Sequence, residues 1–456
     1  MLNKNLVILD VVGLTPDLLG DNTPNINRYL NDNFFSPLTG VFPALTTTAQ
    51  SSMLTGYNPD RHGVVGNGWY EREHAEVMFW KQANSLVQGD KIWDRLKTKH
   101  EGFSCSKLFW WYNMYANVDA SITPRPHYPA DGRKIIDLYS TPEGLHEKIE
   151  EKLGKFPFFN FWGPKAGIES SQWIAEAAKL EFEMHRPNLQ LVYLPHLDYC
   201  LQKYGPHHES IAAEVRAIDT VVGSLLEFYQ ASDVKVIIVS EYGITEVSKP
   251  IHINRVLREN GFIKVRNSLT WELLDPGASK AFAVADHQIA HIYLNDVSKK
   301  ATLKELLENT DGIDRVLDQG GKRDFNIDHD RAGDLIAIAN PDAWFTYYYW
   351  LDDKKAPDFA RTVDIHRKPG YDPVEMFVDP KLTLPVARVA WRLLQKKLGF
   401  RMLMDVIPLD ADLIRGSHGR LATDEQQGPL IILPKDMARE GMRMTDVPEV
   451  IMSFFD

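Results

Sequence analysis

Three short apolar runs, residues 6–9, 189–194 and 234–240, constrain the fold of this 456-residue chain more than any other feature. None alternates apolar with polar residues, so none suits a sheet with one wet face. Such runs are strands buried on both faces. Helical patterns lie between them: residues 23–30, with Thr23 as cap and Pro24 in the first turn, and residues 210–230 with long apolar periodicity. Strands alternating with helices predict an α/β fold whose mostly parallel sheet is covered on both sides. Each run leads into an acid: Asp10, Asp198 and Glu241. In open α/β sheets ligands bind at the carboxyl edge of the strands, where these three carboxylates converge.

A second feature suggests the chemistry. The stretch Phe42-Pro43-Ala44-Leu45-Thr46-Thr47-Thr48-Ala49-Gln50 leads to Thr55-Gly56 and then Asn58-Pro59-Asp60-Arg61-His62-Gly63. It reads as a loop that delivers a hydroxyl to the first turn of a helix. Three threonines suit a helix start, where a side-chain oxygen accepts from a free backbone N–H. The same geometry receives an anion. A hydroxyl beside an anion site points to phosphoryl or sulfuryl transfer; the plainer alternative is an ordinary capped helix.

Composition excludes some classes. The chain is 44% hydrophobic and 25% charged, as in an ordinary globular protein. A net charge of −11 argues against a nucleic-acid surface. Cys105 and Cys200 cannot build a disulfide framework or a thiolate metal cage. The apolar run in residues 1–10 is too short for a secretory leader, and no stretch approaches the ~18 apolar residues of a membrane span. A cytoplasmic protein is expected.

Texture divides the chain into a first catalytic part (1–250), an insertion (251–395) and a return to the main domain (396–456). The insertion reads as a small α+β cap, with strands at 291–294 and 334–339 and a helix across 300–319. Its aromatic run 344–350 reads as core, and residues 386–398 as a helix. Ser417-His418-Gly419 and an apolar strand at 429–433 follow.

These segments fall in a familiar order. Asp10 comes first, followed by the threonine turn with His62-Gly63-Val64-Val65-Gly66-Asn67. Asp198 with Tyr204-Gly205-Pro206, Ser240-Glu241-Tyr242-Gly243 and Ser417-His418-Gly419 complete it. The arrangement resembles the nucleotide pyrophosphatase/phosphodiesterase family of the alkaline phosphatase superfamily, which includes phosphonoacetate hydrolase-like relatives. The resemblance implies an alkaline phosphatase-like three-layer α/β sandwich with a small α+β cap. It implies a threonine nucleophile and two divalent metal ions. Ungapped matching on Phe42-Pro43 and Thr55-Gly56 places the nucleophile at Thr46. One ion then falls to Asp10, Thr46, Glu241 and Tyr242, the other to Asp198, Gln202 and His418.

The chain departs from the family pattern at three of these positions. Glu241 stands for aspartate, and Tyr242 and Gln202 each stand for histidine. Three carboxylates remain but only one imidazole, which favours Mn²⁺ or Mg²⁺ over Zn²⁺ and leaves one site weak. A helix terminus supplies ~0.3–1 kcal/mol, about one pKa unit at most, so it cannot activate a threonine hydroxyl. A metal lowers the pKa of bound water from ~15.7 to ~7 and can.

The resemblance therefore implies a metal-dependent hydrolase of phosphodiester or pyrophosphate bonds. Its substrate would be a small phosphorylated nucleotide, sugar or lipid, and the reaction would pass through a covalent phospho-threonine. Alternatives are a phosphonate hydrolase, a phosphomonoesterase, or a non-catalytic descendant that binds a phosphorylated ligand. Among further candidates, His196 on a strand would share the face of Asp198. His287 and His291 could reach the site from the cap. Arg367 and Lys368 lie on a turn expected to be exposed. Oligomeric state is left open.

Overall fold

The three apolar runs lie side by side. The structure is a computed structural model that describes residues 4–130 and 133–456; residues 1–3, part of the stretch considered above as a leader, lie outside it. Leu6–Val11 sits between Lys235–Val239 and Leu189–Leu194, parallel to both. Cys105–Leu108 and Ala120–Pro124 extend the parallel core. Antiparallel partners complete an eight-stranded sheet: Leu138–Thr141 at one end, and Leu430–Pro434 with Asn33–Pro37 at the other. Every position of Leu6–Val11 and Leu189–Leu194 is buried, which is why neither run alternates. Helices Pro24–Asp32, Ile168–His185 and Ile211–Ala231 pack together as one group, and Thr46–Thr55, Ile92–Lys99 and Val447–Phe455 as another.

Register positions the site. Asp10 is opposite both Tyr193 and Val239. Glu241, just past Val239, and Asp198, on the turn of helix beyond Leu194, therefore emerge at one edge of the sheet.

The helix at 23–30 forms as Pro24–Asp32, but its cap differs from the expected one. Thr23 makes no capping bond; its hydroxyl is engaged by Gly20. The first free N–H groups, of Asn25 and Ile26, donate instead to the buried carboxylate of Asp219, at 3.1 and 2.9 Å.

A second, antiparallel sheet lies further along the chain, in the order Ala281–Asp286, Ile289–Leu294, Leu335–Ala339, Ile313–Leu317. The last strand corrects the long helix expected across 300–319. Helix Lys300–Glu308 stops, Gly312 turns the chain at φ +95°, and a strand follows. The apolar spacing fitted either period, as short runs do. The first two strands form a hairpin with a two-residue turn whose leading residue, His287, adopts φ +59°. The aromatic run from Trp344 to Trp350 is buried in the core beside this sheet.

Removing Asp219 leaves two buried N–H donors without an acceptor. Asp219→Ala is expected to lower the unfolding free energy by about 1–3 kcal/mol, read from chemical denaturation. Thr23→Val should lose less.

Candidate active site

Thr46 is the first residue of helix Thr46–Thr55, with Leu45 in the cap position. Leucine has no oxygen to offer, and the three threonines do not cap the helix either. Thr47 donates to the Gly66 carbonyl at 2.8 Å and Thr48 to that of Val64 at 3.3 Å. The acceptor at the helix start comes from elsewhere: Asn67 Oδ1 takes the Thr47 N–H at 3.2 Å. Asn67 is in turn held by Asp286, which accepts from its backbone N–H at 2.8 Å and its amide at 3.2 Å.

With its neighbours engaged below, Thr46 presents its hydroxyl to the sheet edge. It lies 2.9 Å from the Tyr242 hydroxyl, and Tyr242 donates to Asp198 Oδ1 at 3.1 Å. A tyrosine O–H used on Asp198 leaves only an acceptor for Thr46, so the threonine proton points at Tyr242. Gln202, one turn beyond Asp198, donates to its other oxygen at 2.8 Å and accepts from Tyr371 at 2.9 Å. Burial lifts the Asp198 carboxyl to about 7, and the two donors work against the rise.

Asp10 and Glu241 form a second, tighter cluster. Burial pushes Asp10 up to about 7 and Glu241 well above its ordinary range; the neighbouring Asp10 charge raises Glu241 further. Gln50 moderates both, donating to Glu241 Oε1 at 2.7 Å and to Asp10 Oδ2 at 3.4 Å. Its own oxygen accepts from the Trp111 N–H at 2.7 Å. Asp10 Oδ1 and Glu241 Oε2 are buried without a hydrogen-bond partner.

His418 carries the remaining imidazole. Its Nδ1 lies 2.8 Å from the Ala44 carbonyl, which can only accept, so Nδ1 bears the proton and Nε2 keeps a lone pair. That Nε2 faces Asp198 Oδ1 at 3.5 Å. Four rings stack through the site. Tyr242 lies on His418 (3.7 Å, 8°), His418 on His287 (3.8 Å, 39°) and His287 on Tyr371 (3.6 Å, 20°). Tyr242 follows a strand of the eight-stranded sheet, whereas His287 is at the hairpin tip of the second sheet. Close backbone approaches hold the edge together. A Cβ on Gly243 would meet the Gln427 carbonyl, and one on Gly416 that of Leu201.

The residues expected at the site are thus brought together: Thr46, Asp10, Glu241, Tyr242, Asp198, Gln202 and His418. The two sets assigned to metal ions differ, however. The unpartnered oxygens of Asp10 and Glu241, beside the Thr46 hydroxyl, fit a hard divalent cation. Asp198 is already engaged by the Tyr242 hydroxyl and the Gln202 amide, which supply protons where a second cation would supply charge. Among the described residues, no three or more His, Cys, Asp and Glu side chains form a metal-holding group.

Other candidates fall out differently. His196 does not share a strand face with Asp198. Both stand in helix His196–Tyr204, where side chains two apart diverge, and His196 meets Glu214 at 2.9 Å. His287 does reach the site, whereas His291 is held between Gly333 and the Val65 carbonyl. Lys368 is buried rather than exposed, at 2.7 Å from both Asp372 and Glu375, so its charge is already matched. Gln50, Asn67 with Asp286, and Tyr371 had no assigned role. Gln50 alone had a signal, standing one helical turn beyond Thr46 on the same face.

Comparisons with known proteins bear on the family and the fold. The family described as Type I phosphodiesterase / nucleotide pyrophosphatase matches residues 6–372. The chain is 22% identical over 254 residues to an uncharacterized pyrophosphatase/phosphodiesterase of Schizosaccharomyces pombe, covering 54% of this chain and 46% of that protein. It spans less than half the length of the curated relatives it matches. Phosphonoacetate hydrolase from Sinorhizobium meliloti 1021, in complex with phosphonoformate, superposes with a TM-score of 0.61 at 14% identity, over 99% of this chain and 96% of that one. Murine ectonucleotide pyrophosphatase/phosphodiesterase 5, an inactive threonine-to-alanine variant in complex with AMP, gives 0.59 at 13% identity, over 99% and 95%. The sheet therefore has the alkaline phosphatase-like fold of these structures, and the chain belongs to the type I phosphodiesterase/nucleotide pyrophosphatase family.

Proposed function

We propose that this protein hydrolyses phosphodiester or pyrophosphate bonds of small phosphorylated compounds, nucleotides among them, with Thr46 as nucleophile. The observation that carries the reading is the Thr46 hydroxyl, held at a helix start between the buried Asp10–Glu241 pair and the Tyr242–Asp198 hydrogen bond. Asp10, Glu241 and Thr46 would hold one hard divalent cation, Mn²⁺ or Mg²⁺, which when bound supplies the charge that lowers the hydroxyl's pKa. Asp198, Gln202 and His418 would offer a second, weaker site.

The chain's own residues divide the remaining work. The Thr46 proton moves towards the Tyr242 oxygen as Tyr242 passes its own to Asp198, freeing Thr46 Oγ1 to attack phosphorus. The bond to the leaving oxygen breaks, and that oxygen departs with a proton from solvent. Water then cleaves the phospho-threonine, returning the hydroxyl and releasing the phosphorylated product. Because Thr46 is 5% and Asp198 8% exposed, substrate access requires side chains over the site to move. The free, buried thiols of Cys105 and Cys200 support a cytoplasmic location as part of this proposal.

The hydrogen bonds engaging Asp198 favour one rival, a descendant that binds a phosphorylated ligand without turning it over. Hydrolysis of a nitrophenyl phosphodiester separates the two readings. Turnover should depend on Mn²⁺ or Mg²⁺ and fall by about three orders of magnitude or more in Thr46→Ala. No turnover with any divalent ion, together with thermal stabilisation by AMP, would establish the binding protein.

A second prediction concerns the carboxylate pair. At pH 7 and without added metal, Asp10→Asn removes a buried carboxyl whose raised pKa opposes folding above its unfolded value, and should raise stability by about 1–4 kcal/mol. The same variant should lose the rise in unfolding temperature that Mn²⁺ gives the unaltered protein. A full Mn²⁺-dependent rise in Asp10→Asn would place the cation elsewhere.

A further inference from the structure

Among the described residues, helix Pro385–Lys397 is unlike every other long helix: none of its 13 residues is buried. Its exposed surface is also apolar. Trp391 is 57% exposed, Leu394 45% and Leu398 63%, with Leu384, Val386, Leu393 and Phe400 exposed around them. At 3.6 residues per turn, Ala387, Trp391, Leu394 and Leu398 form one stripe. Val389 and Arg392, partly buried, lie on the opposite side.

Charge accompanies this stripe. Residues 380–404 contain Lys381, Arg388, Arg392, Lys396, Lys397 and Arg401 and no acid, in a chain of net charge −11. Arg388 and Arg392 both pair with Asp405, which ties the inner side of the helix to the body. Lys381, Lys396, Lys397 and Arg401 enter no ion pair among the described residues. The result is an apolar stripe facing outward, flanked by unpaired cations and held by two anchored arginines.

We propose that this helix seats the protein on the surface of an anionic lipid bilayer. The helix lies in the interface, with Trp391, Leu394 and Leu398 entering the headgroup–acyl boundary while Lys397 and Arg401 reach anionic headgroups. Charge complementarity selects this occupant over a second copy of the chain. Two such helices packed against each other would place their unpaired cations together with no acid between them. The helix does not span the bilayer, in keeping with the lack of any helix long and apolar enough to cross a membrane among the described residues.

The test is cosedimentation of the full chain with phosphatidylcholine vesicles, with and without phosphatidylglycerol. Binding should require phosphatidylglycerol and weaken as salt rises. Lys397→Glu/Arg401→Glu should weaken it at least about tenfold, and Trp391→Ser/Leu394→Ser should also weaken it. Neither variant should alter hydrolysis of a soluble phosphodiester or the unfolding temperature. Absence of binding to phosphatidylglycerol vesicles would overturn the proposal, as would binding unaffected by Trp391→Ser/Leu394→Ser. A dimer that this pair dissociates, without vesicle binding, would assign the stripe to a second copy.

Discussion

Asp10 and Glu241 are buried side by side at the carboxyl edge of a sheet that is apolar on both faces, and the site is organised around that arrangement. Burial in a dry environment makes both carboxyls resist ionisation and pushes both up in pKa; the Asp10 charge raises Glu241 further, whereas the hydrogen bond with Glu241 works against the rise at Asp10. Gln50 moderates the pair by donating to both. It can do so because its oxygen is fixed by the Trp111 N–H. The loop carrying Trp111 is fixed in turn by Lys107, whose buried ammonium donates to the carbonyls of Trp111 and Tyr112 at 2.7 and 2.9 Å. Burial without an acid beside it lowers Lys107 to about 7. The cation proposed for the carboxylate pair would engage what the polypeptide alone leaves unpaired, the oxygens Asp10 Oδ1 and Glu241 Oε2.

The second half of the site is built on a different principle. Where the family resemblance implies imidazoles, Tyr242 and Gln202 surround Asp198 with hydrogen-bond donors. A phenol brings a proton and a large flat ring, and the ring continues a stack through His418, His287 and Tyr371. The hairpin tip at His287 thus couples the second sheet to the reacting edge of the first. In the proposed mechanism the Thr46 proton passes to Tyr242, a member of this stack.

The strands at 6–11, 189–194 and 235–239 could be read from the sequence because their buried runs are almost wholly apolar, and their terminal acids stood out for the same reason; Cys105–Leu108, equally buried, carries Ser106 and Lys107 and leaves no such run. The family resemblance could single out Thr46 because its block is contiguous. The caps were not. Thr23 and the threonines of residues 46–48 have the right chemistry for local caps, yet Asp219 and Asn67 supply the acceptors from distant parts of the chain. Tertiary acceptors of this kind leave no local pattern. Tyr371 was hidden for a similar reason. The segment His366-Arg367-Lys368-Pro369-Gly370-Tyr371 looks like an exposed basic turn, but Asp372 and Glu375 neutralise Lys368 and allow the segment to be buried. The strand at 313–317 was missed because its run is too short to fix a period.

The central claim is that Thr46 takes the phosphoryl group onto its own oxygen. Acid quenching during turnover of a nitrophenyl phosphodiester, followed by peptide mass spectrometry, tests it most directly. The account predicts a phosphoryl adduct on the peptide carrying Thr46, localised to Thr46 and not to Thr47 or Thr48. Sustained turnover with that peptide unmodified at every quench time, or an adduct on another residue, would contradict it.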